Sequence, residues 1–340
     1  TNPNDALYIS LDHYWFRTHE LQDLIKYMYQ RGVTEFYIDE VHKYNGWSTI
    51  LKNLIDELKG LRIVYTGSSL LEIDNAKVDM SRRQTPYTLK GMSFREYLEY
   101  EGLLKMNAVT IEELLDNHVS IAMEIVSNAK ILMAFETYLH TGVYPFYKDA
   151  GKDFLVRLKE VVDTVMESDL PAVENVTYST IDKCKKLLMI IAENVPLQPN
   201  VDRLAISLGT TRDTLLNLLY KLDRAEILEL LTVQLKSYKK FVKPEKIYLG
   251  NTNLMYALSP KIEIGTLRET FFADQCASCC TLQMPHKGDF LLNEKYLFEV
   301  GGESKKFDHI AGIPNSYLAI DGVETGYGAK IPLWMFGLLY

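Results

Sequence analysis

No run of the sequence approaches the ~18 consecutive apolar residues that a membrane-spanning helix needs, and the N-terminus lacks the layout of a signal peptide. Cysteine is scarce: Cys184, Cys276, Cys279 and Cys280 are the whole set. Four in a chain of 340 residues make no disulfide framework, which points to a reducing, cytoplasmic setting. Cys276 and Cys279 have the spacing of half a zinc site, but no second CxxC or HxxxH pair completes it, so zinc is not expected. His13, His42, His140, His286 and His309 form no i,i+4 ligand pair. Net positive charge is missing too. At −8 the chain has no global attraction for nucleic acid, and any such contact has to come from a local basic patch. Repeats and low-complexity tracts are absent. The chain opens Thr1-Asn2-Pro3-Asn4, without Met, and almost at once enters a strand-like run, which reads as an upstream part lying outside the sequence.

What is present is ordinary globular material. Hydrophobic residues make up 47% and charged residues 24%, enough for real cores in a chain long enough for two or three domains. The first hundred residues alternate strand and helix. Ala6–Leu11 is a short apolar strand ending at Asp12. Leu21, Leu24, Ile25 and Met28 recur at helical spacing, and Gly32 stops them. Phe36-Tyr37-Ile38 is the next strand, ending in Asp39-Glu40. A second amphipathic helix runs from Trp47 to Leu58 before Gly60. Arg62-Ile63-Val64-Tyr65 is a third strand, ending in Thr66-Gly67-Ser68-Ser69. Strands separated by helices of this length imply a parallel sheet with crossover helices.

The chain then turns helical. Ser93-x-x-Glu96 and Thr110-x-x-Glu113 are capping boxes. A long helix is expected over about 118–139 and another over about 152–168, broken by Pro171. Ile181 to Glu193 reads as a helix. Val201–Ala205 begins a short one, Gly209 permits a tight turn, and Thr211 opens a second helix through Leu222, a helix-turn-helix signature. Ile227–Leu235 and Lys246–Leu249 have the makings of a wing. The last ninety or so residues mix a helix at about 265–278 with short strands.

The strongest chemical signal is the apolar strand ending in Asp39-Glu40. Buried strand residues fix both carboxylates at the carboxyl edge of an open α/β sheet, where ligands bind. There an aspartate can hold Mg²⁺ through water while a glutamate polarises an attacking water. The polar tip of the next strand can reach a γ-phosphate. Ser81-Arg82-Arg83 follows, with guanidinium groups suited to charge spread over phosphoryl oxygens.

Together these residues resemble a prokaryotic AAA+ ATPase family whose core is followed by a C-terminal domain of unknown function. The likeness runs from Asp39-Glu40-Val41-His42-Lys43-Tyr44 through Tyr65-Thr66-Gly67-Ser68-Ser69 and Ser81-Arg82-Arg83. It continues in Leu89-Lys90-Gly91-Met92-Ser93-Phe94-Arg95-Glu96-Tyr97, Gly142-Val143-Tyr144-Pro145 and Gly265-x-x-x-Glu269, and ends in Ile331-Pro332-Leu333-Trp334-Met335-Phe336-Gly337. The resemblance implies that Asp39 and Glu40 are the Walker B pair, that Ser68 or Ser69 is sensor 1, and that Arg82 or Arg83 senses nucleotide. The implied cofactors are ATP and Mg²⁺. The sequence departs from the family in one respect: no G-x-x-x-x-G-K-[ST] occurs in it, the loop whose backbone N–H groups and lysine cradle the phosphates. As written the chain is expected to bind ATP weakly or not at all, and truncation is the favoured explanation over a dead ATPase.

Two further sets of residues carry alternatives. Lys236, Lys239, Lys240, Lys243 and Lys246 fall within eleven residues where the wing is expected, and Thr210, Thr211, Arg212 and Thr214 open the second helix. Such residues fit DNA phosphate and groove contacts, or a protein-binding spacer with a soluble hairpin. Near the C-terminus, Glu269, Asp289 and Glu299 follow the PD-(D/E)xK nuclease pattern, in which two strand carboxylates bind Mg²⁺. The lysine position two residues past Glu299 is Gly301, with Lys305 or Lys306 further along as a substitute, so a nuclease-shaped interaction domain is favoured over an active enzyme. The expected organisation is α/β: a P-loop NTPase core lacking its first strand at 1–90, a helical region at 91–178, a winged helix at 179–258 and an α+β nuclease-like domain at 259–340. The functional alternatives are an ATP-driven switch, a DNA-binding or regulatory protein on a relic ATPase fold, and a Mg²⁺-dependent nuclease.

Overall fold

The computed structural model describes residues 5–67, 80, 83–169, 178–233 and 242–340. The chain divides into two compact units, one made of Thr1–Thr88 with Glu167–Thr177, the other of Leu89–Met166 with Tyr178–Tyr340.

The first unit has the expected alternation: β1 (Ala6–Ser10), α1 (Leu21–Tyr29), β2 (Glu35–Asp39), α2 (Trp47–Glu57) and β3 (Arg62–Tyr65). The three strands are parallel and lie in the order β1-β2-β3. Each connection steps the same way across the sheet, so right-handed crossovers put both helices on one face. That face carries Ile9, Phe36 and Ile38, which pack with Leu21 and Ile25 of α1 and Trp47, Leu51 and Leu54 of α2 into one core. Among the described residues of this unit, none packs over the other face. Register places Tyr8, Tyr37 and Val64 in one row across it, at 66%, 38% and 55% exposure. This row leads along the strands to Asp39.

In the second unit both expected capping boxes form, Ser93 with Glu96 and Thr110 with Glu113. The helix expected at about 118–139 is instead two, Ile111–Val126 and Ile131–Gly142, bent by 94° at their junction, the second ending in a π-helical turn. The cause is local. Ser127 Oγ and Asn128 Nδ2 both donate to the carbonyl of Glu124, at 2.7 and 2.8 Å, and so take an acceptor the helix would need to continue. No single described helix is long and apolar enough to cross a membrane. The helix expected at about 152–168 is Phe154–Thr164, prolonged by a π-turn, Val165–Asp169. Pro171, read as its breaker, lies outside the described residues.

Helices Tyr178–Glu193, Val201–Ser207 and Arg212–Arg224 follow. Gly209, at φ +57°, makes the turn between the last two, a conformation that costs a side-chain-bearing residue more. β4 (Leu228–Leu231) and β5 (Lys246–Leu249) pair antiparallel. Helices Thr252–Leu258 and Ile264–Ala277 then lead into a five-stranded sheet of β6 (Leu282–Gln283), β7 (Phe290–Leu292), β8 (Tyr296–Gly302), β9 (Ser316–Asp321) and β10 (Lys330–Pro332), in the order β10-β9-β8-β7-β6. β6, β7 and β8 form an antiparallel meander, and β9 and β10 continue it in parallel with β8. Helix Ile264–Ala277 is seated on this sheet through Phe272, whose ring centroid lies 5.0 Å from that of Phe290 and 5.1 Å from that of Phe298.

Candidate functional site

Asp39 is the last residue of β2, and each of its oxygens is held from a different flanking strand. Tyr8 of β1 donates its hydroxyl to Oδ2 at 2.8 Å. Thr66, just past β3, donates Oγ1–H to Oδ1. Both partners follow from the register: Tyr8 pairs with Tyr37, two residues before Asp39 and on the same face, and the Thr66 N–H continues the β2–β3 ladder to the Ile38 carbonyl. The hydrogen bonds from Thr66 and then Tyr8 hold the Asp39 carboxyl below its ordinary range, against partial desolvation. The Tyr8 phenol is pushed up by the same contact. The arrangement is an ionised carboxylate at a strand tip with one proton donor on either side.

Glu40 follows in the left-handed region, φ +55°, before the short 3₁₀ turn Val41–Lys43. The Val41 N–H bonds the Thr66 carbonyl at 3.0 Å and ties this turn to the tip of β3. The turn brings the His42 ring back to Glu40, with Nε2 3.3 Å from Oε2. Arg83 is placed elsewhere. It forms a two-pronged pair with Asp56, Nε to Oδ1 at 2.8 Å and the second nitrogen to Oδ2 at 3.0 Å. Asp56 sits in the last turn of α2, which runs back from the strand tips towards the start of β3, so this pair belongs to the far end of the sheet. Ser68, Ser69 and Arg82 lie outside the described residues. The strand tips therefore bring together Asp39, Glu40 and Thr66, with Tyr8 and His42 as partners the sequence reading had not named.

Residues 1–98 match an AAA domain. The parallel sheet and the Asp39-Glu40 tip lie within that match, and the N-terminal part of the chain is thus similar to AAA-type ATPases. Residues 132–264 match a domain of unknown function, DUF8612. An uncharacterized protein of Methanocaldococcus jannaschii, MJ1637, is 26% identical over 359 aligned residues, which span 97% of this chain and 76% of that protein. No solved structure matches.

Beyond the AAA domain, Glu269 and Asp289 lie close enough to interact electrostatically, and each of the three C-terminal carboxylates is already engaged. Glu269, on helix Ile264–Ala277, accepts from the Tyr248 hydroxyl at 2.6 Å and from Lys246 Nζ at 3.4 Å. Asp289 accepts from the Val300 N–H at 2.8 Å. Desolvation, and then the nearby Glu269, raise its carboxyl above the ordinary range. Glu299 is 5% exposed; Lys305 Nζ lies 2.7 Å from its Oε1, while Oε2 has no hydrogen-bond partner among the described residues. Gly301 shows how Lys305 gets there. A Cβ on Gly301 would stand 2.7–2.8 Å from the Lys305 side-chain carbons, so the missing side chain is the space Lys305 crosses. Among the described residues no group of three or more His, Cys, Asp or Glu side chains is placed to hold a metal ion.

The residues read as DNA contacts are engaged locally. Thr211 caps its helix, accepting from the Thr214 N–H at 3.2 Å, and Arg212 pairs with Asp202 at 3.1 Å. Lys243 lies 3.6 Å from Glu245. Lys236, Lys239 and Lys240 lie outside the described residues.

A separate polar cluster surrounds Lys90, whose Nζ pairs with Glu226 at 2.8 Å. Asp223, Glu229 and Asp274 stand near it, all half-buried. Desolvation is the main cause lifting Asp223 to about 6, Asp274 to about 7 and Glu229 to about 8. One lysine faces four carboxylates, too little positive charge to keep them all ionised at neutral pH.

Proposed function

We propose that the first unit is the hydrolytic edge of an AAA-type ATP switch, coupled to a second unit that combines a helix-turn-helix body with a nuclease-shaped domain lacking cleavage activity. The observation that carries the reading is Asp39, ionised at the tip of a parallel strand and steadied by Tyr8 and Thr66, with Glu40 beside it. In this role Asp39 would hold Mg²⁺ through water, the ion bridging and neutralising phosphate oxygens. Glu40 would orient and polarise the attacking water. Thr66 is in place to respond when that carboxylate changes partners, and Ser68 or Ser69 is assigned to the γ-phosphate. Arg83 has to leave Asp56 before its guanidinium can serve a phosphate.

The phosphate-cradling loop is not among these 340 residues. The test therefore compares the 340-residue chain with one extended by the codons upstream of Thr1, by titration with fluorescent ATP and Mg²⁺. We expect binding in the micromolar range by the extended chain and at least ~100-fold weaker binding by the shorter one, since the loop supplies most phosphate contacts. Equal affinity of the two chains, or no binding by either, defeats the proposal.

The nuclease-shaped reading of the C-terminal domain rests on topology: a helix, an antiparallel meander and a parallel fourth strand, with Asp289 just before β7 and Glu299 on the adjacent β8. The engagement of Glu269, Asp289 and Glu299 by protein groups argues for inactivity, because a metal has to displace Lys305 first. Supercoiled plasmid incubated with the chain and Mg²⁺ or Mn²⁺ is expected to remain intact. Nicking that disappears in Asp289→Ala refutes the inactive assignment.

A further inference from the structure

Cys279 and Cys280 have their sulfurs 3.7 Å apart, and no role described above uses them. They lie just past helix Ile264–Ala277, where the N–H groups of both residues bond the Cys276 carbonyl. Cys279 is exposed and Cys280 half-buried, whereas Cys184 and Cys276 are buried. Asn293, in the turn between β7 and β8, is pinned against this pair. Its Oδ1 accepts the Thr281 N–H at 2.9 Å and the Thr281 hydroxyl at 3.4 Å, which leaves the amide N–H₂ to face Cys280. The hydrogen bond from Cys279 lowers the Cys280 thiol below its usual range, opposed by desolvation and helped by Asn293.

Three chemistries suit two adjacent thiols, and the geometry separates them. A disulfide is disfavoured, because neighbouring Cα atoms stand about 3.8 Å apart across a trans peptide, short of the roughly 4.4–6.8 Å that disulfides span. Zinc wants about four ligands, and among the described residues no third His, Cys, Asp or Glu joins the pair to make a metal group. What remains is an element satisfied by two thiolates approaching from the same side. A linear ion such as mercury(II) needs its sulfurs on opposite sides, whereas trivalent arsenic takes them at an acute-to-right angle.

We propose that Cys279 and Cys280 form a vicinal dithiol site for monosubstituted trivalent arsenicals. The Cys280 thiolate attacks an R–As=O centre first and Cys279 closes the ring. Two As–S bonds form, the As=O bond and two S–H bonds break, and the oxygen leaves with both protons as one water. Arsenic stays trivalent, so no oxidant or reductant is consumed.

The probe is phenylarsine oxide, titrated onto the reduced 340-residue chain and followed by intact mass and by thiol counting with DTNB. We expect one arsenic per chain, loss of the two fast-reacting thiols, and reversal by 2,3-dimercaptopropanol but not by an equal amount of glutathione. Cys279→Ser and Cys280→Ser should each weaken binding about 100-fold, the loss expected when a second, tethered contact is removed. Both side chains reach the surface, so circular dichroism should show each variant folded. Undiminished binding by either variant, or one arsenical per thiol, overturns the site. One tightly held zinc ion protecting the same two thiols overturns the choice of ligand.

Discussion

Glu40→Gln, made in a chain competent to bind ATP, should leave nucleotide bound while phosphate release falls at least ~100-fold, the usual scale for losing a general base. Glutamine keeps the length and most of the polarity of Glu40 but cannot take up a proton from water. The backbone offers a second, independent reading of the same residue. Glu40 sits at φ +55°, where a side-chain-bearing residue carries a steric cost that glycine avoids. Residues held in such conformations gather at functional sites because the surroundings impose them. Glu40→Gly should therefore raise the stability of the first unit by about 0.5–1 kcal/mol while abolishing turnover. Stability is read by urea unfolding and turnover by phosphate release. Retained hydrolysis in Glu40→Gln removes Glu40 from the mechanism, and a destabilised Glu40→Gly shows that the left-handed backbone is relaxed.

The second unit should lose stability steadily as pH rises from about 4 towards 8. In the folded chain Asp223, Asp274 and Glu229 hold their protons up to about 6, 7 and 8, whereas an unfolded carboxyl releases its proton near 4. Between those limits the folded state binds more protons than the unfolded one, so stability must fall as pH rises, and it levels off above the highest folded value. A drop in Tm on the order of 5–10 °C across this window is expected for a unit of this size. Glu229→Gln should flatten the slope, raising Tm at pH 8.5 with little change at pH 5. Lys90→Met, which removes the cation paired with Glu226, should steepen it. A pH-independent Tm, or a Tm that rises from pH 5 to 8, contradicts the cluster's assignment.

The strands and crossovers of the first unit were legible because their apolar residues alternate or recur at one period and their stops are glycines. The tip carboxylate was legible for the same reason: burial of Phe36 and Ile38 leaves Asp39 only the sheet edge. Its partners were not. Tyr8 looks like any strand tyrosine until the register sets it beside Tyr37, and register is a property of two strands. Thr66 was visible as part of a polar tip, but which residue of that tip faces Asp39 depends on the β2–β3 ladder. The break at 127–130 was missed because the apolar period runs through it, while Ser127 and Asn128 compete for a carbonyl that pattern reading does not see. Lys305 and Lys306 were both open as substitutes for the lysine missing at 301; it is Lys305 that reaches Glu299, through the empty space above Gly301. Tyr248 and Lys246 lie more than twenty residues before their partner, Glu269, and no local signal links them.

The engagement of Asp39 from both sides has a mechanical corollary. A newcomer drawn to either oxygen competes with a hydroxyl rooted in a different strand. On the proposed reading, an occupant of that tip would displace a hydroxyl on one side of Asp39 or the other, and the edge of the sheet would register its own occupancy.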